Sequence, residues 1–125
     1  MLRNMLWDNA EFVSESDAYD ALKPIADILV SNTDIQVLIV GSTATDGTPE
    51  GCRKLSQMRA DKVKDTLIKE LHVNQNQLST YGAGQSSTPF RVDDMKDGKL
   101  VESQASKNRA VYIVNYDSAV AKEII

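Results

Sequence analysis

The chain has a single cysteine, Cys52, so no internal disulfide can form and a packed core must hold the fold. No apolar run approaches the roughly 20 residues that cross a bilayer; Val37–Val40 is typical of the longest. The N-terminal MLRNMLWDN lacks the apolar region and cleavage site of a signal peptide. Positive charge is also scarce: 14 Lys and Arg face 18 Asp and Glu, for a net charge of −4. No basic run is interleaved with aromatics, which excludes the electrostatic footprint of a nucleic-acid partner. With one histidine, His72, and one cysteine, the sequence holds no Ser-His-Asp, Cys-His or paired-carboxylate constellation, so it reads as a non-enzyme. Gly41–Gly47 lacks the G-K-[ST] of a phosphate loop, and Asp93, Asp94, Asp97 and Glu102 miss the D-x-D-x-D-G spacing of a calcium loop. These acids read as a solvated turn. No metal site and no cofactor are expected.

What is present is ordinary for a globular protein: 125 residues, 42% apolar and 26% charged, enough for one domain over 1–125 with its own core. Met5–Trp7 is a short apolar start that reads as a strand. Ser14 and Ser16 offer N-caps for a helix to about Val30, with Tyr19, Leu22, Ile25, Ala26 and Leu29 on its buried face. Ile35–Val40 is a β-branched run, read as a strand covered on at least one face. A second helix is expected from about Cys52 to Glu70, with Leu55, Met58, Val63, Leu67 and Leu71 as its apolar face. His72 is placed at its exit, as a C-terminal cap. Gln77–Tyr81 reads as a third strand. A polar loop follows from about Gln85 to Lys107, with DDMKDGK as a turn or hairpin tip. Ala110–Tyr116 is the last strand and Asp117–Ile125 a short terminal helix. The order β-α-β-α-β-β predicts an α/β (α+β) two-layer sandwich: a mixed four-stranded sheet with helices on one face.

The most informative stretch is Ile35–Ala60, where a strand runs into a Gly-bounded polar loop and then a helix carrying Arg59. Such strand-to-helix loops suit anions, because free N–H groups and the helix dipole converge there. Gly41-Ser42-Thr43-Ala44, Gly47 and Cys52-Arg53-Lys54-Leu55-Ser56-Gln57-Met58-Arg59-Ala60 resemble the G-H-T-D, loop glycine and N-x-x-L-S-x-x-R-A of the OmpA-like domain family. Leu6–Phe12, Tyr81-Gly82-Ala83-Gly84 with Pro89, and Asn108-Arg109-Ala110-Val111 are similar to its first strand, its G-x-G-x-x-x-P element and its N-R-R-V strand start.

The resemblance implies a non-catalytic module of the extracytoplasmic cell envelope. It would belong to a longer, membrane-anchored protein and touch a membrane only through parts outside this chain. It implies noncovalent binding to a peptidoglycan stem peptide or a related wall polymer. In the family, an Asp and an Arg clamp the zwitterionic end of diaminopimelate, carboxylate to ammonium and guanidinium to carboxylate. Arg59 stands at the Arg position, Ala44 at that of the Asp, Ser42 at the His and Cys52 at the Asn. Removing one charge-assisted hydrogen bond from a partly buried site costs about 2 kcal/mol or more, and Asp46 is the candidate replacement for the missing acid.

The residues carried over as peptidoglycan-binding are Arg59, Arg109, Asp46, Thr43 and Asn9. All but Thr43 have a structural alternative. Arg59 is a carboxylate ligand or the group that holds the loop; Arg109 binds an anion or pairs with an acidic neighbour. Asp46 is a ligand or a turn cap, and Asn9 a ligand or the cap of the turn after the first strand. Cys52, at a helix N-terminus, is a dipole-activated thiol or a small semi-buried side chain. With Ala44 in place of the acid, the alternative function is a protein-interaction module that has lost diaminopimelate binding, with a homodimer as the partner.

Overall fold

The computed structural model describes residues 7–8, 11–12, 14–86, 88 and 91–124. Of the expected first strand Met5–Trp7, only Trp7 falls within them; Asn9 and Pro89 lie outside the described residues. Two short strands open the description, β1 (Trp7–Asp8) and β2 (Glu11–Phe12), paired antiparallel. Helix α1 (Glu15–Ser31) starts at Ser14, whose hydroxyl accepts from the Asp17 N–H at 3.3 Å. Its buried stripe is Ala18, Leu22, Ala26 and Leu29. Pro24 sits inside α1 on its exposed side, so the Asp20 carbonyl that loses its helical partner also faces water.

Strand β3 (Val37–Gly41) is buried along its whole length. Helix α2 (Pro49–Lys69) follows, then a 3-10 turn (Gln75–Gln77) and β4 (Leu78–Gly82), which lies parallel to β3 as the crossover predicts. The buried Gln77 amide reaches the carbonyls of Leu29, Asn32 and Ile35, each at 3.0 Å, and so ties the α1–β3 connection to the start of β4. DDMKDGK forms a hairpin of β5 (Met95–Lys96) and β6 (Lys99–Leu100). Its tip is Asp97-Gly98, with φ of 53° and 77°, the two left-handed residues that a type I′ turn requires. Helix α3 (Glu102–Asn108), strand β7 (Val111–Asn115) and helix α4 (Ala119–Ile124) complete the chain. β7 pairs antiparallel with the other edge of β3, giving the order β4-β3-β7.

Alternation along β3 divides the core. Val37 and Ile39 face α1 and α2, packing with Leu22, Leu29, Val63 and Leu67. Leu38 and Val40 face the other way, with Tyr112 and with Ala121 of α4. The two long helices thus cover one face of the mixed sheet, and the short α4 closes part of the other.

Three sequence expectations are corrected. Helix α2 begins three residues before Cys52, because Thr48 caps it through the Gly51 N–H (3.0 Å) and Pro49 occupies the first helical position. Its inner face in the first half is Cys52, Ser56, Arg59 and Ala60, while Met58 is 56% exposed. That rotation follows from the sheet beneath. A Cβ on Gly41 would lie 1.9 Å from the Ser56 carbonyl oxygen, and one on Gly82 2.8 Å from the Arg53 oxygen, so the helix backbone rests directly on a glycine pair and larger residues are turned out. Finally, α3 occupies the end of the stretch expected to be loop; its buried Ala105 and Asn108 anchor two turns with little apolar signal. His72 stands at the helix exit, as expected, and ends the helix through its backbone. It is exposed with φ 61°, a left-handed residue at the helix exit, after which the Val73 N–H meets the Leu67 carbonyl at 2.9 Å.

Gly41→Ala is therefore expected to cost about 3 kcal/mol or more, since the obstruction is backbone and cannot rotate away. Urea unfolding measures it; a midpoint like the wild type's would refute this account of the helix–sheet contact.

Candidate binding cleft

Beyond Gly41 the chain continues in an extended path held on both sides. The Ser42 N–H bonds the Ala110 carbonyl (2.9 Å) and the Thr43 N–H the Gly84 carbonyl (3.1 Å). Ser42, Thr43 and Ala44 are buried, and the chain turns outward over Thr45–Thr48 into α2, through Gly47 at φ 81°. Between this loop and the first turns of α2 lies a cleft of about 410 Å³, walled by Thr43, Ala44, Asp46, Cys52, Arg59 and Arg109 among others.

Arg59 forms its inner wall. It is 4% exposed and donates from Nη1 to the Ser42 carbonyl at 3.1 Å. Burial, and then the like charge of Arg109, push the Arg59 guanidinium down to about 10, against the opposing pull of Asp46 and Cys52. It remains a cation at neutral pH. Arg109 enters from the opposite rim, just past the end of α3, hydrogen-bonded through both terminal nitrogens to the Glu102 carboxylate and 3.9 Å from Asp46 Oδ2. The Glu102 contact raises the Arg109 guanidinium further and holds Glu102 below the usual carboxylate range.

The loop tip is pinned by its backbone, which leaves the Asp46 side chain outside. The Cys52 thiol donates to the Asp46 carbonyl at 2.9 Å, and Gln85 Nε2 reaches the Gly47 carbonyl at 3.2 Å. The buried Cys52 is a loop anchor here. The Asp46 carboxylate is 59% exposed on the rim. The Thr43 hydroxyl is turned onto the Ala44 carbonyl at 3.1 Å, and Ala44 itself is fully buried.

Four of the five sequence-derived residues, Thr43, Asp46, Arg59 and Arg109, thus meet at one cleft, while Asn9 lies outside the described residues. The structure adds a group that the sequence reading passed over. Arg91, its side chain 10% exposed, donates to the Thr43 carbonyl (2.7 Å) and the Thr45 hydroxyl (2.6 Å). Asp94, read from sequence as part of a solvated turn, is instead 2% exposed. Its Oδ2 accepts from the Thr45 N–H (2.9 Å) and Asn108 Nδ2 (3.0 Å) and lies 3.7 Å from Arg91. Burial alone would raise this carboxyl; the bonds from Thr45 and Asn108 and the Arg91 charge outweigh it and hold it below the usual range. Only the adjacency of Asp93 and Asp94 was visible beforehand, and Asp93 behaves as expected, exposed and capping the Met95 N–H at 3.1 Å. Among the described residues no cluster of three or more His, Cys, Asp or Glu is placed to hold a metal ion, and no helix is long and apolar enough to cross a membrane.

A model of the OmpA family matches residues 9–102. The fold is similar to that of the peptidoglycan-associated lipoprotein from Burkholderia pseudomallei, with a TM-score of 0.72 and 24% identity over 89% of this chain and 87% of that one. The C-terminal domain of Helicobacter pylori MotB superposes with a TM-score of 0.68 at 20% identity, over 97% of this chain and 90% of that one. The OmpA-like domain of FopA1 from Francisella tularensis gives 0.65 at 20% identity, over 90% and 68%. At these identities the likeness is one of fold. No curated protein matches the chain in sequence.

The Asp94 network generates a pH dependence. Because its folded pKa is depressed, the group's stabilisation is complete above its unfolded value of about 3.9 and is lost as pH falls through the folded value. Asp94→Asn should lower stability at pH 7 by about 3 kcal/mol by leaving Arg91 buried without its counter-charge. The gap to wild type should close on acidification. Urea midpoints between pH 7 and pH 2 read both effects, and a gap that stays constant across that range would contradict the assignment.

Proposed function

The chain belongs to the OmpA family, and on that premise we propose that it is a non-catalytic module of the extracytoplasmic cell envelope, held there by noncovalent binding of a peptidoglycan stem peptide or a related wall polymer in the cleft between β3 and α2. The observation that carries this reading is the charge layout of the cleft: two guanidiniums, Arg59 and Arg109, with the Asp46 carboxylate on the rim beside Arg109. That layout complements a zwitterionic terminus such as diaminopimelate. The ligand carboxylate goes to Arg59, whose low exposure strengthens the attraction, and to Arg109, while the ammonium goes outward to Asp46. Ala44 leaves the inner wall apolar, so in this reading the acid that meets the ammonium comes from the rim. Thr43 forms part of the cleft wall, and Asn9 is kept as a fifth contact on the strength of the family resemblance.

A non-catalytic role fits the same residues. The Cys52 thiol is committed to a backbone carbonyl. The one histidine, His72, follows the far end of α2, roughly 15 Å of helix beyond Arg59. Attachment of the full-length protein to a membrane belongs to parts outside this chain. The Burkholderia neighbour is by name a peptidoglycan-associated lipoprotein, which supports the envelope setting.

An NMR titration with a diaminopimelate-containing muropeptide, with a lysine-containing one as control, is the test. Amide shifts should cluster at residues 41–47, Arg59 and Arg109, and the lysine form, which lacks the terminal carboxylate, should bind more weakly. Asp46→Ala and Arg109→Ala should each lower affinity about tenfold. Absence of shifts at millimolar ligand would overturn the reading in favour of a self-associating module, which light scattering at several concentrations would then reveal.

A further inference from the structure

Thr43 and Ala44 wall the cleft, and the segment Ser42–Thr45 that carries them is gripped from two sides. On the cleft side, Arg59 holds the Ser42 carbonyl at 3.1 Å. Arg91 does not line the cleft. It lies in a separate cavity of about 380 Å³, with Thr45 and Asp94. From there one guanidinium nitrogen meets the Thr43 carbonyl at 2.7 Å and the Ser42 hydroxyl at 3.4 Å, while the other meets the Thr45 hydroxyl at 2.6 Å. Asp94 completes the grip through the Thr45 N–H at 2.9 Å. Asp94 is fixed in turn by Asn108, which bonds both backbone groups of Val92 (2.8 and 3.1 Å) as well as the carboxylate. The next residue is Arg109, the second cation of the cleft. One hydrogen-bonded cluster therefore sets both the loop against which Arg59 docks and the point from which Arg109 departs.

We propose that Arg91 is a positioning residue for the cleft: by clamping Thr43 and Thr45 from the adjoining cavity, it fixes the Ser42 carbonyl and with it the direction in which the Arg59 guanidinium meets a ligand. This deepens the functional reading above and rests on it. The role needs a planar fork, because two nitrogens of fixed separation must satisfy acceptors on two residues. A lysine ammonium presents its charge from a single point and cannot bridge them. The clamp does not reach the ligand space, so its effect on binding passes through Arg59.

The test compares Arg91→Lys and Thr45→Val, which removes the acceptor of one fork nitrogen without touching the cleft, with Leu29→Ala, a core truncation in α1 that loosens the fold elsewhere. Two readouts are taken well below each protein's Tm: the Arg59 Nε–Hε resonance together with the Thr43 amide, and affinity for the diaminopimelate muropeptide. The first two variants should move the Arg59 and Thr43 signals and weaken binding about tenfold, while Leu29→Ala leaves both unchanged. Wild-type signals and affinity in Arg91→Lys and Thr45→Val would overturn the proposal, as would an equal loss in Leu29→Ala. Should Arg91→Lys fail to fold, Thr45→Val decides. Should the wild type bind no muropeptide, the functional reading fails alone, and the Arg59 resonance in the variants still decides whether Arg91 sets its direction.

Discussion

The closeness of helix α2 to the ends of β3 and β4 is the constraint from which the site follows. Gly41 and Gly82 are register partners in the sheet, and both lie under helix backbone with no room for a Cβ. Ser56 replaces the usual apolar contact there: its hydroxyl accepts from the Gly84 N–H at 2.9 Å and donates to the Arg53 carbonyl at 2.8 Å. With the helix seated so low, a residue one turn beyond Ser56 comes level with the chain leaving β3. That residue is Arg59, and its long side chain finds the Ser42 carbonyl. A helix at ordinary distance from the sheet would carry the same arginine past the loop.

Lowering a cation into this position has an electrostatic cost, and the surroundings are arranged around it. Arg109 adds a second positive charge nearby, yet its strongest partner is Glu102, outside the cleft, with Asp46 only at the edge of ion-pair range. The positive character of the cleft is therefore moderated at its rim. The Arg91–Asp94 pair, nearly sealed from solvent, follows the other logic of buried ions: several hydrogen bonds to each member, so that the value of the pair lies in fixing geometry. Exposed pairs such as Lys23–Asp27 and Lys54–Glu50 contribute little by comparison.

The parts of the fold that could be read from sequence were those set by local chemistry. The β-branched run before Gly41, Ser14 as a cap, the hairpin tip at DDMKDGK and the last strand each rest on a few adjacent residues. The failures lie where partners distant in sequence decide. Met58 fits the helical periodicity but is turned out because glycines elsewhere fix which side of α2 lies on the sheet. Helix α3 has weak periodicity and is held by Asn108 reaching Val92 and Asp94. Thr43, Asp46, Arg59 and Arg109 were legible through a motif whose spacing survives. Arg91 and Asp94 were not, because nothing next to either in the chain distinguishes a buried clamp from a polar loop.

The pairing of β3 has a mechanical side. It is the central strand, matched residue for residue over Val37–Gly41 with parallel β4 on one edge and antiparallel β7 on the other. The cleft loop is the direct continuation of this strand and is tied on both sides to the segments that flank it. On the proposed function, a wall pulling on the bound peptide would act on the loop that continues β3, and the part of that pull lying along the strand would load β3 lengthwise. Two ladders would then resist in shear, with their hydrogen bonds sharing the force, whereas a pull across the strands would open them one at a time. On that reading the cleft loop hangs from the strand least able to peel away, a placement suited to a domain held under load.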